Sequence, residues 1–167
     1  MARIATGAGV SRPALYQYFA NKDEIFASAF VALFHGHIER ALAELDSEAP
    51  IADQLDGFLQ RFVGDLWERM AASEHADEIE RAKTGDLALA IGKLLAELWR
   101  ELDTHLAKLA PGSSKAAVAR RRGWSDLMQY ASRGLRADRP AIDIYRDRLR
   151  ALAQSIAADI TAGQKAN

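Results

Sequence analysis

The side chains with the clearest chemical use lie within the first 22 residues: Ser11, Arg12, Pro13, Ala14, Tyr16, Gln17, Tyr18 and Lys22. Near the start of a helix, an arginine pairs with a guanine edge or a phosphate, a glutamine with an adenine edge, and Ala14 or Pro13 can touch a thymine methyl. Tyr16 and Lys22 suit phosphate oxygens, which position a protein on DNA without reading sequence. These contacts need a rigid frame. Ile4, Ala5 and Ala8 share one face of a short helix, Gly9 can supply the left-handed residue that ends it, and Ser11 can cap the next helix. Leu15 and Phe19, four residues apart, point back at the first helix and leave Arg12, Pro13, Ala14, Tyr16 and Gln17 facing outward. Asn21 is placed to cap a third helix with Asp23 and Glu24 in its first turn, and that N-terminus can itself face a phosphate.

Taken together, Ile4-Ala5, Ala8-Gly9-Val10-Ser11, Leu15-Tyr16, Tyr18-Phe19 and Lys22 resemble the signature of tetracycline-repressor-type (TetR family) regulators, with every spacing intact. The resemblance implies an all-α fold with a helix-turn-helix head on double-stranded operator DNA and a helical body that holds a ligand pocket. It also implies a homodimer interface made by the last two helices. A further long helix is implied ahead of Ile4; because only Met1, Ala2 and Arg3 precede that residue, the head is expected to lack its first helix through a mis-assigned start or a truncation. The expected organisation is an incomplete DNA-binding head over 1–22, a connecting helix over 23–46 and a ligand-binding and dimerisation bundle over 47–167.

Composition agrees with a globular chain: 49% hydrophobic and 27% charged residues, four prolines and no cysteine. The missing cysteines exclude a disulfide framework and thiolate metal sites, and no apolar run reaches the length of a membrane span. A cytoplasmic protein with no membrane partner is expected. The net charge of −1 hides an asymmetry, +3 over residues 1–22, −10 over 23–110 and +6 over 111–167. A basic head on an acidic body confines phosphate attraction to one end.

Helical spacing dominates and no strand is predicted. The connecting helix runs from Asn21 to about Asp46, burying Ile25, Phe26, Phe30, Phe34 and Ile38. Pro50 opens a helix with a wide apolar stripe from Ile51 to Met70, and a short helix follows around Ser73–Lys83, closed by Gly85. Asp86 is the expected cap of the next helix, which ends before Pro111-Gly112. Ser113 or Ser114 caps another, running to about Arg136, and after Asp138-Arg139-Pro140 a last helix ends near Gly163.

Aromatic and sulfur side chains at helical spacing are candidates for an apolar ligand pocket: Phe30, Phe34, His37, Phe58, Phe62, Trp67, Trp99, Trp124 and Met128. Their character suits a small, mostly apolar effector. In the last helix Ile142, Tyr145, Leu149, Leu152, Ile156 and Ile160 form a narrow seam that wants a partner helix, and with Trp124 and Leu127 they make the expected dimer interface. His35, His37, His75 and His105 lack the spacing that presents two metal ligands together, so neither metal nor cofactor is expected. Arg120-Arg121-Arg122 reads as a solvated face or interface ion pairs rather than a second DNA patch. No phosphate loop, nucleophile elbow or cysteine suggests catalysis. The functional expectation is therefore a ligand-released repressor that binds a palindromic operator as a dimer. The alternative is a helical dimer that senses or sequesters a small molecule without binding DNA, because its head is truncated.

Overall fold

The computed structural model describes residues 1–165, less the side chains of Asp77 and Glu80, and among these it contains helices and no strand. The head is α1 (Ala2–Gly7) and α2 (Arg12–Tyr18), followed by the long α3 (Lys22–Leu45). The body continues with α4 (Ile51–Leu59), a π turn (Gln60–Gly64), α5 (Asp65–Ala71), α6 (Ala76–Ala82) and α7 (Gly85–Leu109). It closes with α8 (Lys115–Asp126), a second π turn (Leu127–Ala131), α9 (Ser132–Gly134) and α10 (Ile142–Lys165).

Local chemistry explains where several helices begin. Asn21 holds an extended backbone and its Oδ1 accepts from the Glu24 amide at 2.9 Å, while Glu24 reaches back to the Ala20 amide at 2.6 Å. One amide donor left over by the helix, that of Glu24, and the Ala20 amide just ahead of the cap are thereby satisfied, and Asp23 and Glu24 favour the positive end of its dipole. Ser114 does the same for α8, accepting from the Ala117 amide at 3.1 Å. At α7 the expectation needs correcting: Thr84 is the residue at the cap, Gly85 (φ 55°) starts the helix rather than closing α6, and Asp86 sits inside the first turn. The left-handed glycine turns the chain over a link too short for a separate stop and start.

The core gathers around α4, which lies between α3 on one side and α10 on the other, with α7 packed behind α3 and α8 against α7. Leu55, Phe58, Leu59, Leu98, Leu102, Leu106, Met128 and Leu149 are all 0% exposed. Removing each such side chain from water contributes about 1.5–3 kcal/mol before entropy is counted.

Within the chain this packing covers most of the seam on the last helix. Tyr145, Leu149, Ile156 and Ile160, expected to face a second copy, are at most 2% exposed within the single chain, where α10 packs on α4 and Tyr145 also meets Trp67 and Ser132. Ile142 and Leu152 are half-buried against the same core. Trp124 is buried too, with its indole N–H donated to Asp159 at 2.8 Å. Of the expected interface only Leu127 is exposed, and it shares its exposure with Tyr130 and Ile144. A seam of period three to four specifies a partner helix, and here the partner is supplied in the same chain. The last helix also runs past Gly163 to Lys165. Gly163 does not stop it: a Cβ there would stand 3.0 Å from the Arg120 guanidinium, so the glycine makes room for that side chain.

Candidate nucleic-acid interface and cavity

In the head, α1 ends in a paired closure. The Val10 amide donates to the Ala5 carbonyl at 3.0 Å and the Gly9 amide to the Thr6 carbonyl at 3.2 Å, with Gly9 at φ 67°. That pair of bonds is a Schellman turn, which needs a left-handed residue at its pivot. Two residues later Ser11, in extended conformation, accepts from the Ala14 amide at 3.2 Å and starts α2 with Pro13 in its first turn. Ala5 and Leu15 are buried between the two helices, and Phe19 is half-buried beyond them.

The opposite side of α2 is open. Ser11, Arg12, Pro13, Gln17 and Lys22 are exposed, Ala14 is half-buried, and two large aromatics stand in solvent, Tyr16 at 44% and Tyr18 at 76% exposure. Arg12 lies over the Tyr16 ring with its guanidinium carbon 5.6 Å from the centroid. An aromatic exposed to this extent carries apolar area that the fold does not use. Lys22, at the start of α3, also borders a groove against α6 with Phe26, His75, Glu78 and Ile79.

Within the body, a cavity of about 180 Å³ lies among α3, α7 and the two π turns. Phe30 and Phe34 come from α3, Phe62 and Val63 from the first π turn, Ile91, Leu95 and Trp99 from α7, and Gln129 from the second π turn. Ser132, Arg133 and Arg136 close it beside Leu66 and Lys83. Ring contacts run through its wall: Phe30 stacks on Phe34 at 6.2 Å, Phe34 meets Phe62 edge-on at 6.1 Å, and Phe62 meets Trp99 edge-on at 5.7 Å.

Both π turns are held from outside the helices that contain them. In the first, Gln60 donates to the Arg146 carbonyl at 2.9 Å and accepts from the Arg146 guanidinium at 3.1 Å, and Arg146 also bonds Asp65 and Glu68, each at 2.9 Å. Gly64 belongs to this lock: a Cβ there would stand 3.0 Å from the Gln60 amide oxygen. In the second, Ser132 donates to the Gln129 carbonyl at 3.3 Å, and the buried Tyr145 hydroxyl donates to the Ser132 carbonyl at 2.9 Å. Burial pushes the Tyr145 phenol up to about 12, so it remains a donor. A π turn inserts one extra residue and re-aims the side chains after it, and such turns recur at functional sites.

Of the nine expected pocket residues, the cavity therefore collects Phe30, Phe34, Phe62 and Trp99. Phe58 and Met128 are 0% exposed core, Trp124 is committed to Asp159, and Trp67 packs edge-on against Tyr145. His37 is sealed between α3 and the first π turn; its Nδ1 lies 3.3 Å from the Arg61 carbonyl, which can only accept, so Nδ1 carries the proton. Burial holds this imidazole below its ordinary pKa, and Nε2 has no partner. Gln129, Ser132, Arg133 and Arg136 were not anticipated. One sequence signal was available: Arg133 and Arg136 have no acid three or four residues to either side.

Residues 1–29 match the family model of the bacterial regulatory proteins, tetR family. No curated protein and no solved structure matches the chain. Over residues 1–29 the chain is therefore similar to the DNA-binding head of the tetR-family regulatory proteins.

Proposed function

We propose that the chain is a repressor that binds a palindromic operator as a homodimer and leaves it when a small effector enters the body cavity. The observation that carries the DNA half is the open face of α2. The Schellman turn and the Ser11 cap fix that helix while Arg12, Pro13, Tyr16, Gln17 and Tyr18 stay exposed. Arg12 and Gln17 would read base edges, and Tyr16, Tyr18 and Lys22 would hold phosphates. Dimerisation is assigned to the exposed apolar side chains of Leu127, Tyr130 and Ile144 rather than to the filled seam. Exposed apolar side chains on the last helices favour a self-complementary contact, which would set two heads one DNA turn apart.

The link between cavity and head is α3. Phe30 and Phe34 line the cavity, Phe26 touches Phe30 at 6.0 Å, and the helix begins at Lys22, four residues after α2 ends. An effector that favours one seating of Phe30 and Phe34 would tilt the start of α3 and change the head spacing. Release requires that it bind that seating better than the operator-bound one.

The test is fluorescence anisotropy of this chain on palindromic DNA flanking its own gene, across a salt series. Saturable binding that prefers one sequence is expected, with log Kd against log salt steep enough to count several phosphates at about 0.9 each. Arg12→Ala and Gln17→Ala should each lose about 1–3 kcal/mol of base discrimination, whereas Lys22→Ala should weaken all sequences equally. Equal affinity for scrambled DNA would sink the repressor reading. A folded dimer with no sequence preference would favour the sensor without DNA binding, a reading that the two buried side chains of the head, Ala5 and Leu15, support.

A further inference from the structure

We propose that the cavity takes a small organic anion, an amphipathic monocarboxylate, with its apolar part among the aromatic rings and its carboxylate on Arg133 and Arg136. The inference rests on the effector cavity of the proposed function and names the class of molecule that fits it.

Charge decides the class. Arg133 and Arg136 line the cavity, and no carboxylate does so among the described residues. Four other arginines of the C-terminal part have acids: Arg120 with Asp159, Arg146 with Asp65 and Glu68, Arg148 with Asp138, and Arg150 with Asp147. Arg133 and Arg136 form no ion pair with any described residue. Three residues apart, they project from the same side of the chain where it leaves the second π turn. Arg136 lies over the Trp67 ring at 5.4 Å. A stacked guanidinium keeps its in-plane N–H donors for a planar carboxylate, which it meets through two parallel bonds. Trp99, in the cavity wall, adds a buried indole N–H with no acceptor.

Size and shape narrow the class further. At about 180 Å³ the cavity lies below the range of roughly 300–1,000 Å³ typical of drug-sized ligands, so one ring or a short chain fits. A neutral apolar molecule of that size would fill the aromatic part but leave the exposed Arg133 and the half-buried Arg136 without an anion. An anion beside the half-buried Arg136 gains an attraction stronger than it has in bulk water, with Arg133 adding a more screened one.

Isothermal titration calorimetry with three near-isosteric probes tests this: 3-phenylpropionate, 3-phenylpropionamide and 3-phenylpropylamine. The carboxylate is expected to bind at least about tenfold tighter than the amide, with the amine weakest, in keeping with charge-assisted bonding. Arg133→Gln with Arg136→Gln should remove that advantage and leave amide affinity unchanged, with circular dichroism checking the fold. If the double variant unfolds, Arg133→Gln alone carries the test, because that side chain is exposed and its loss should cost the carboxylate alone. Equal binding of carboxylate and amide would overturn the anion inference while leaving the cavity reading intact. Binding of none of the three would overturn both.

Discussion

Residues 1–18 bury two side chains, Ala5 and Leu15, and keep their shape through bonds between near neighbours, such as Val10 to Ala5 and Ala14 to Ser11. The body does the reverse. Its cavity wall stays in place through partners far apart in the chain, Gln60 with Arg146 and Ser132 with Tyr145. The head presents a surface set by local geometry, which a partner such as DNA can meet without disturbing a core. The body presents a space whose shape depends on the whole packing, so under the proposed function a molecule entering it would be felt along α3. A regulator needs both kinds of construction, one to read and one to respond.

The contrast can be broken in four places. Phe58 is fully enclosed, and Phe58→Ala should cost the body about 3–5 kcal/mol in urea unfolding, whereas Tyr18→Ala in the head should stay within about 0.5 kcal/mol. Equal losses would show that the head is part of the core. Arg146 ties the first π turn to α10, and Arg146→Ala should lower stability by about 1–2 kcal/mol, discounted because the group is partly exposed. The same change should weaken probe binding in the cavity; a cavity that binds unchanged would mean the lock is not needed to shape it.

Gly9→Ala should act on the head alone. Nothing lies within 4 Å of the added Cβ, so the cost is backbone strain at φ 67°, about 1 kcal/mol. The expected readout is weaker DNA binding with an unchanged midpoint of the main unfolding transition. The smallest effect is on pH dependence. Burial holds His37 and His105 below their ordinary value of 6.5, so as pH falls through that value the unfolded chain takes up protons the folded chain refuses. Stability should therefore fall on acidification below about 6.5 and level off under the folded pKa values. His37→Asn keeps a donor for the Arg61 carbonyl but cannot titrate, and should flatten that slope in urea midpoints taken across the range; an unchanged slope would assign it elsewhere.

Much of the head was legible in residue types. Gly9, Ser11 and Asn21 act within three or four residues of where they stand, so reading the chain in order finds them. The aromatic run was half legible. Phe30, Phe34, Phe62 and Trp99 meet in one cavity, but nothing in their spacing separates them from Phe58 or Met128, which are plain core. Apolar period tells which face of a helix is buried and not what it is buried against. For the same reason the seam of α10 suggested a second copy, although most of it is buried within the chain, where α10 packs on α4 and other elements.

By itself the amino-acid sequence determined the all-α character, the capped turn of the head and the exposed face of α2. These follow from backbone preferences and from hydrogen bonds that close over a few residues. Only the tertiary structure decided the two π turns, the occupant of the α10 seam and the presence of Gln129, Ser132, Arg133 and Arg136 at the cavity. An extra residue in a helical turn survives only where distant groups such as Arg146 and Tyr145 hold it, and which distant groups meet is settled by packing the whole chain.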